Sequence, residues 1–180
     1  NSGNDASMRA LLNRFSFYAF AGNMETKGGV ISLLQAYLSE FHVNESVSLV
    51  LQSNSAQKTQ ELINAIVPSL GIYDSKYYPH IHIVEETPED SIHKQCNCLI
   101  DASVTRGFKE EVAKALLYGN TPLILEGSGM EEYVDDSNGW VVKSSESILV
   151  CPDRPLANAF TARESCLIPD TPSLMKCMRD

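Results

Sequence analysis

The chain has 180 residues, 43% of them hydrophobic and 21% charged. Those values suit one globular domain with a substantial core and argue against a disordered tail. Its 14 Lys and Arg stand against 23 Asp and Glu, a net charge of −9. That balance argues against nucleic acid as the main partner and against an anionic membrane surface, since both demand a basic face.

No apolar run approaches the roughly 20 residues of a membrane-spanning helix. The five cysteines are odd in number and are not spaced like a disulfide scaffold. A reduced, cytoplasmic protein is the expectation. Residues 1–12 are polar and small at their start and are expected to be a tag, linker or N-terminal extension. The domain itself is expected over 13–180, with no internal boundary.

Phe15 to Ala21 is a continuous aromatic and apolar run and predicts a strand buried on both faces. From Val30, the residues Leu34, Tyr37, Leu38 and Phe41 keep helical spacing. Val47–Leu51 predicts a second strand. Leu62, Ile63, Ile66, Val67 and Leu70 predict a second helix, with Gly71 as its stop. His80–Val84 is a third strand, and Thr87-Pro88-Glu89-Asp90 opens a short third helix.

Cys98–Asp101 is a fourth strand. Phe108, Val112, Ala115 and Leu116 define a fourth helix that ends near Gly119. Pro122–Leu125 is a fifth strand, Met130–Val134 a short helix and Gly139–Val142 a sixth strand. Beyond Ser144 the pattern weakens. Leu156–Arg163 and Pro172–Met178 are expected to be helical, and the stretch from Ser144 to Asp180 is expected to pack toward a partner domain. Strands alternating with helices at short intervals predict a Rossmann-like, doubly wound α/β domain. Its six-stranded sheet is expected to be mostly parallel, with helices on both faces.

In such a sheet, ligands bind where the strands end, near the reversal of strand order. Two loops lie there. The first is Gly22-Asn23-Met24-Glu25-Thr26-Lys27-Gly28. Its glycines let the backbone approach a ligand, and a lysine ahead of a helix can reach a phosphate. It matches neither the dinucleotide fingerprint nor the P-loop, so a solvated turn is equally open. The second is Asp101-Ala102-Ser103-Val104-Thr105-Arg106-Gly107-Phe108, which leads into the fourth helix.

Several other groups invite chemistry. His93-x2-Cys96-x-Cys98 does not have zinc-ligand spacing, and no metal is implied. Ser103, His93 and Asp101 make a triad only on paper, since no nucleophile-elbow sequence surrounds Ser103. His80 and His82 share one face of a strand and read as structural or as a site rim. Lys114 is four residues past Glu110 and is expected to pair with it on a helix face. Arg106, at the helix entrance, is expected to meet an anion.

Taken in order, Gly22, Lys27-Gly28, Ser103, Gly107-Phe108, Ala115, Gly119, Pro122, Gly129, Glu132, Tyr133-Val134, Asp136 and Asn138-Gly139-Trp140-Val141-Val142 form a pattern. It resembles the C-terminal, donor-binding domain of GT-B retaining glycosyltransferases of family 4 (group 1). No single element is specific; the ordered set is. The resemblance implies one half of a GT-B fold, which binds a nucleotide-sugar donor and transfers the sugar with retention of configuration. It implies a catalytic role for Lys27 on the leaving diphosphate; Arg106, from its place at the helix entrance, is expected to share that role. It implies a donor site of Gly22, Asn23, Lys27, Gly28, Ser103, Gly107, Phe108, Glu110, Glu111, Gly129, Met130 and Glu132. It also implies an N-terminal acceptor-binding domain, from the same or a partner chain, and no cofactor beyond the nucleotide-sugar substrate.

The pattern departs from the family at its Glu-x7-Glu pair. Arg106 and Lys114 stand there, and both charges are reversed. A carboxylate accepts hydrogen bonds from ribose hydroxyls, whereas Arg and Lys only donate. The family's loop arginine is Asn23 here. A degenerate, non-catalytic domain serving binding or assembly is therefore the alternative, and an unrelated doubly wound binding domain is a third.

Overall fold

The computed structural model describes residues 14–22, 27–72, 74–101, 103, 105–148 and 165–180, with only the backbone at 27, 75 and 148. Residues 1–12 and the expected helix over 156–163 lie outside the described residues.

The elements in chain order are β1 (Phe15–Gly22), α1 (Lys27–Glu40), β2 (Val47–Ser53), α2 (Ala56–Ser69), β3 (His80–Val84) and α3 (Glu89–Gln95). They continue with β4 (Cys98–Ile100), α4 (Glu110–Leu117), β5 (Thr121–Leu125), β6 (Trp140–Val142), β7 (Ser144–Ile148), β8 (Ser165–Pro169) and α5 (Thr171–Arg179). Strands β1 to β6 form one sheet in the order β3-β2-β1-β4-β5-β6. Every pairing within it is parallel. This is the doubly wound order, whose direction reverses between β1 and β4.

Side chains alternate across each strand, so one sheet makes two cores. On one face Phe17, Leu49, Leu51, Ile100, Leu123 and Leu125 pack with Val30, Leu34 and Tyr37 of α1, Ile63 and Ile66 of α2, and Leu174 and Met178 of α5. On the other, Tyr18, Val50, Leu99 and Ile124 pack with Ile92 of α3 and Val112 and Ala115 of α4. Helices thus cover both faces, as the continuous apolar strands require.

Local chemistry fixes the edges of these elements. Ser55 caps α2 through a bond from the Lys58 N–H, and the chain leaves that helix through Gly71. The Tyr37 hydroxyl donates to the His80 carbonyl at 2.9 Å and anchors α1 over the edge strand β3. Within the second core, the Tyr18 hydroxyl lies 2.7 Å from His93 Nδ1, and Asn120 Nδ2 donates to both Tyr18 Oη and the His93 carbonyl. Burial lowers the His93 pKa. His93 is therefore a core residue of the α3 face.

Three expectations need correction. Met130–Val134 is a single turn, closed by bonds from the Tyr133 and Val134 N–H to the Met130 carbonyl. Met130 and Val134 are apolar because they plug the second core, not because they repeat along a helix. The fourth helix starts at Glu110 rather than Phe108. Gly107 has φ 113° and Lys109 is extended, so Phe108 projects outward with 67% of its surface exposed. The weakly patterned C-terminal stretch holds the expected last helix, α5, but also an unexpected antiparallel pair, β7 with β8. Leu167, Leu174 and Met178 enter the first core, so residues 165–180 complete this domain's own packing.

The expected free cysteines are seen at Cys96, Cys98, Cys166 and Cys177; Cys151 lies outside the described residues. Among the described residues no helix is long and apolar enough to cross a membrane.

Gly139 begins the turn into β6 without room for a side chain. A Cβ there would lie 2.5 Å from Val134 Cγ1 and 2.6 Å from the Pro122 carbonyl oxygen. Gly139→Ala is expected to destabilise the domain by about 1–3 kcal/mol, read as a lower urea midpoint at unchanged slope. An unshifted midpoint would show that this corner relaxes freely.

Candidate functional site

Strand β1 ends at Gly22, and α1 begins at Lys27. The N-terminus of α1 therefore follows the end of β1, beside the reversal of strand order, and the first N–H groups of a helix have no partner within it. Asn23 and the Lys27 side chain lie outside the described residues. Gly28 is in the first turn of α1.

On the β4 side, the strand ends at Ile100 and passes straight into Asp101, whose N–H donates to the Leu123 carbonyl at 2.9 Å. The Asp101 carboxylate then turns back. Its Oδ1 accepts from the Ser103 N–H at 3.0 Å, and its Oδ2 forms an ion pair with Lys109 Nζ. Both residues are only 8% exposed. Burial pushes the Asp101 carboxyl up, against the pull of the Lys109 ammonium beside it.

A cavity of about 270 Å³ opens here between β4 and the start of α4. Phe20, Leu99, Ile100 and Val112 supply its apolar wall. Asp101, Ser103, Thr105, Lys109, Glu110 and Glu111 supply polar groups, and Phe108 stands at its lip. Ser103 Oγ is 2.7 Å from Thr105 Oγ1. The exposed ring of Phe108 meets that of Tyr133 edge-on, with centroids 6.0 Å apart.

The loop after β5 locks onto this one. The Gly107 N–H donates to the Ser128 carbonyl at 2.7 Å, and the Lys109 N–H points at Met130 Sδ, 3.3 Å away. Gly107 and Gly129 both have positive φ and run back to back: a Cβ on Gly129 would lie 3.6 Å from the Gly107 nitrogen. That conformation favours glycine at both positions. Glu131 gathers the loop's amides, accepting from the N–H groups of Gly127 and Gly129 and from Ser128 Oγ. Burial works against its ionised form, but these donors win and hold its carboxyl below the ordinary range.

The expected site residues thus divide. Ser103, Phe108, Glu110 and Glu111 line one cavity, with Gly107 and Gly129 forming the loop contact beside it. Met130 is fully buried and Glu132 is exposed, so neither lines this cavity. Arg106 forms an ion pair with Glu146 of β7, 40 positions away. Lys114 makes the expected i,i+4 pair with Glu110 at 2.9 Å and a second with Glu89 of α3 at 3.0 Å; these bonds hold its pKa up. The paper triad does not assemble, since Asp101 holds Lys109, His93 holds Tyr18 and Ser103 holds Thr105. His80 and His82 lie on the edge strand β3. Among the described residues no group of three or more His, Cys, Asp or Glu could hold a metal ion.

Sequence reasoning missed the importance of Lys109, Glu131 and Phe20. A signal existed for Lys109: it directly precedes a helix whose first turn is acidic, eight positions after a carboxylate that ends a buried strand.

A six-stranded parallel sheet with helices on both faces and a crevice at its reversal defines a Rossmann-like α/β domain, and solved structures place it more closely. The C-terminal domain of a glycosyl transferase group 1 family protein, LpcC of Francisella tularensis, superposes with a TM-score of 0.57 at 17% identity, over 79% of this chain and 74% of that one. HepE of Anabaena, solved in complex with UDP and glucose, matches with a TM-score of 0.57 at 15% identity, over 78% of this chain and 37% of its own. Sucrose-phosphate synthase of Thermosynechococcus elongatus matches with a TM-score of 0.61 at 14% identity, over 97% and 38%. This chain therefore spans under two-fifths of the latter two and has the fold of a GT-B C-terminal domain. No family model matches the sequence, and no curated protein does.

Glu131→Gln removes the charge that gathers three donors. It is expected to lower stability by about 1 kcal/mol at pH 7. The native carboxyl titrates below its unfolded value, so the wild type's advantage is full above the unfolded pKa. It shrinks as pH falls through the lowered native value. Urea unfolding of both proteins from pH 7 to pH 3 checks this; a gap that stays constant with pH would assign the loss to shape rather than charge.

Proposed function

We propose that this chain is the nucleotide-sugar-binding domain of a glycosyltransferase that transfers a sugar, with retention of configuration, to an acceptor held by a second, N-terminal domain. The observation that carries this is the crevice at the β1/β4 reversal in a fold shared with GT-B C-terminal domains. HepE, which has this fold, was solved with UDP and glucose. In this proposal the donor diphosphate sits over the N-terminus of α1, where Lys27 and the free N–H groups meet its charge. Stabilising the charge that develops on the departing diphosphate is the domain's main catalytic lever. Cationic side chains do this without a metal ion, and the reaction takes place in a reduced cytoplasm.

A non-catalytic binding role is favoured by one observation. Arg106 and Lys114, which stand where the resemblance expects carboxylates, are each held by acidic side chains.

Calorimetric titration of UDP, GDP and ADP and their sugar conjugates tests the proposal. Saturable binding of one nucleotide is expected, weakened at least about tenfold in Lys27→Ala, the loss of roughly one charge-assisted hydrogen bond. Binding that ignores Lys27 would move the diphosphate elsewhere, and silence across the whole panel would favour the non-catalytic role.

A further inference from the structure

The cavity wall carries two opposite charges that are almost wholly buried. Ion pairs of this kind add little stability over a well-packed apolar pair, so their presence at a crevice calls for another explanation. The chemistry of the pair is specific. Lys109 Nζ has three protons; one goes to Asp101 Oδ2 and a second reaches toward the Ser103 carbonyl at 3.4 Å. The third has no partner among the described residues. Asp101 Oδ1 accepts one bond, from the Ser103 N–H, so both carboxylate oxygens retain accepting capacity.

The rest of the lining narrows the ligand. Lys109 is the one cation among the lining residues, against Asp101, Glu110 and Glu111. Such a wall repels a phosphate and suits a neutral group rich in hydroxyls. Phe108, exposed at the lip, offers an apolar face to a ring.

We propose that the Asp101–Lys109 pair recognises a vicinal diol of a sugar ring: one hydroxyl donates to the Asp101 carboxylate while its neighbour accepts from the Lys109 ammonium. This rests on the donor-binding function proposed above and assigns its hydroxyl recognition to residues outside the Arg106 and Lys114 positions. Those two cations face Glu146, Glu89 and Glu110. Asp101 supplies a carboxylate from the end of β4 instead. The diol belongs either to the ribose of the nucleotide or to the sugar that it carries.

Two comparisons separate these sources by calorimetry. One sets UDP, GDP and ADP against their 2′,3′-dideoxy counterparts; the other sets UDP-glucose and GDP-mannose against their 2-deoxy-sugar counterparts. The wild type is expected to disfavour one class of deoxy ligand by at least about tenfold, because the buried pair then lacks a partner. The variant Asp101→Leu with Lys109→Leu removes both charges together and leaves no lone buried charge. It is expected to bind the parent ligand as weakly as the wild type binds the deoxy analogue, so that discrimination falls to about one. If circular dichroism shows that the double variant does not fold, Asp101→Asn carries the test, with discrimination expected to fall at least threefold. Discrimination that survives in the folded variants overturns the proposal. So does a wild type that binds a nucleotide but ignores both deoxy changes, which leaves donor binding intact. A wild type that binds no member of the panel overturns donor binding itself.

Discussion

Strands that all run the same way can be joined only by connections that cross the sheet, and the crossings from β1 to β5 each lay a helix on one face or the other, while the β5 to β6 crossing carries only the Met130 turn. In this chain that constraint governs everything else. The sheet is apolar on both sides because both sides are covered. Every strand of the large sheet ends at the same edge, so the ends of β1, β4 and β5 gather there. The reversal of order between β1 and β4 parts the crossing helices and leaves a crevice that no element among the described residues fills. Polar chemistry collects at this edge because it is the part of the sheet that packing leaves open.

In the described parts of the loops after β4 and β5, polar contacts add to the apolar burial of Met130 and Val134. Asp101 turns the β4 loop through the Ser103 N–H, and Glu131 gathers the amides of the β5 loop. The Gly107 to Ser128 bond then joins the two. A ligand entering here meets groups whose positions are already fixed, which lowers the ordering cost of binding.

Much of the fold was legible in the sequence. The runs around Tyr18, Val50, Leu99 and Ile124 are apolar enough to announce central strands, and Val30 to Phe41 repeats at helical spacing. The last pair of strands was not legible, because Ser144-Ser145-Glu146-Ser147-Ile148 presents mostly polar side chains and is held by backbone pairing to β8. The turn at Met130 was mistaken for a helix because two apolar residues four apart satisfy either geometry. At the site, Ser103, Phe108, Glu110 and Glu111 could be named from the ordered pattern around them. The partners of Arg106 and Lys114 could be named only in part: Glu110 lies one helical turn from Lys114, whereas Glu146 and Glu89 reach these cations only through the tertiary fold. The significance of Lys109 depends on its burial, which no local pattern reveals.

The docking of α5 has a consequence for how the domain forms. Its Arg179 binds Glu40 and Glu45 and lies over the Phe41 ring at 4.5 Å, while Leu174 and Met178 close the core beside α1. The contact with Glu40 joins positions 139 residues apart. Helix α1 therefore waits, with part of its apolar face open, for a helix that follows it only after all the strands of the large sheet. Contacts of such long sequence separation slow folding. They also make the covering of this face all-or-none, since α1 cannot be fully covered until α5 returns to it.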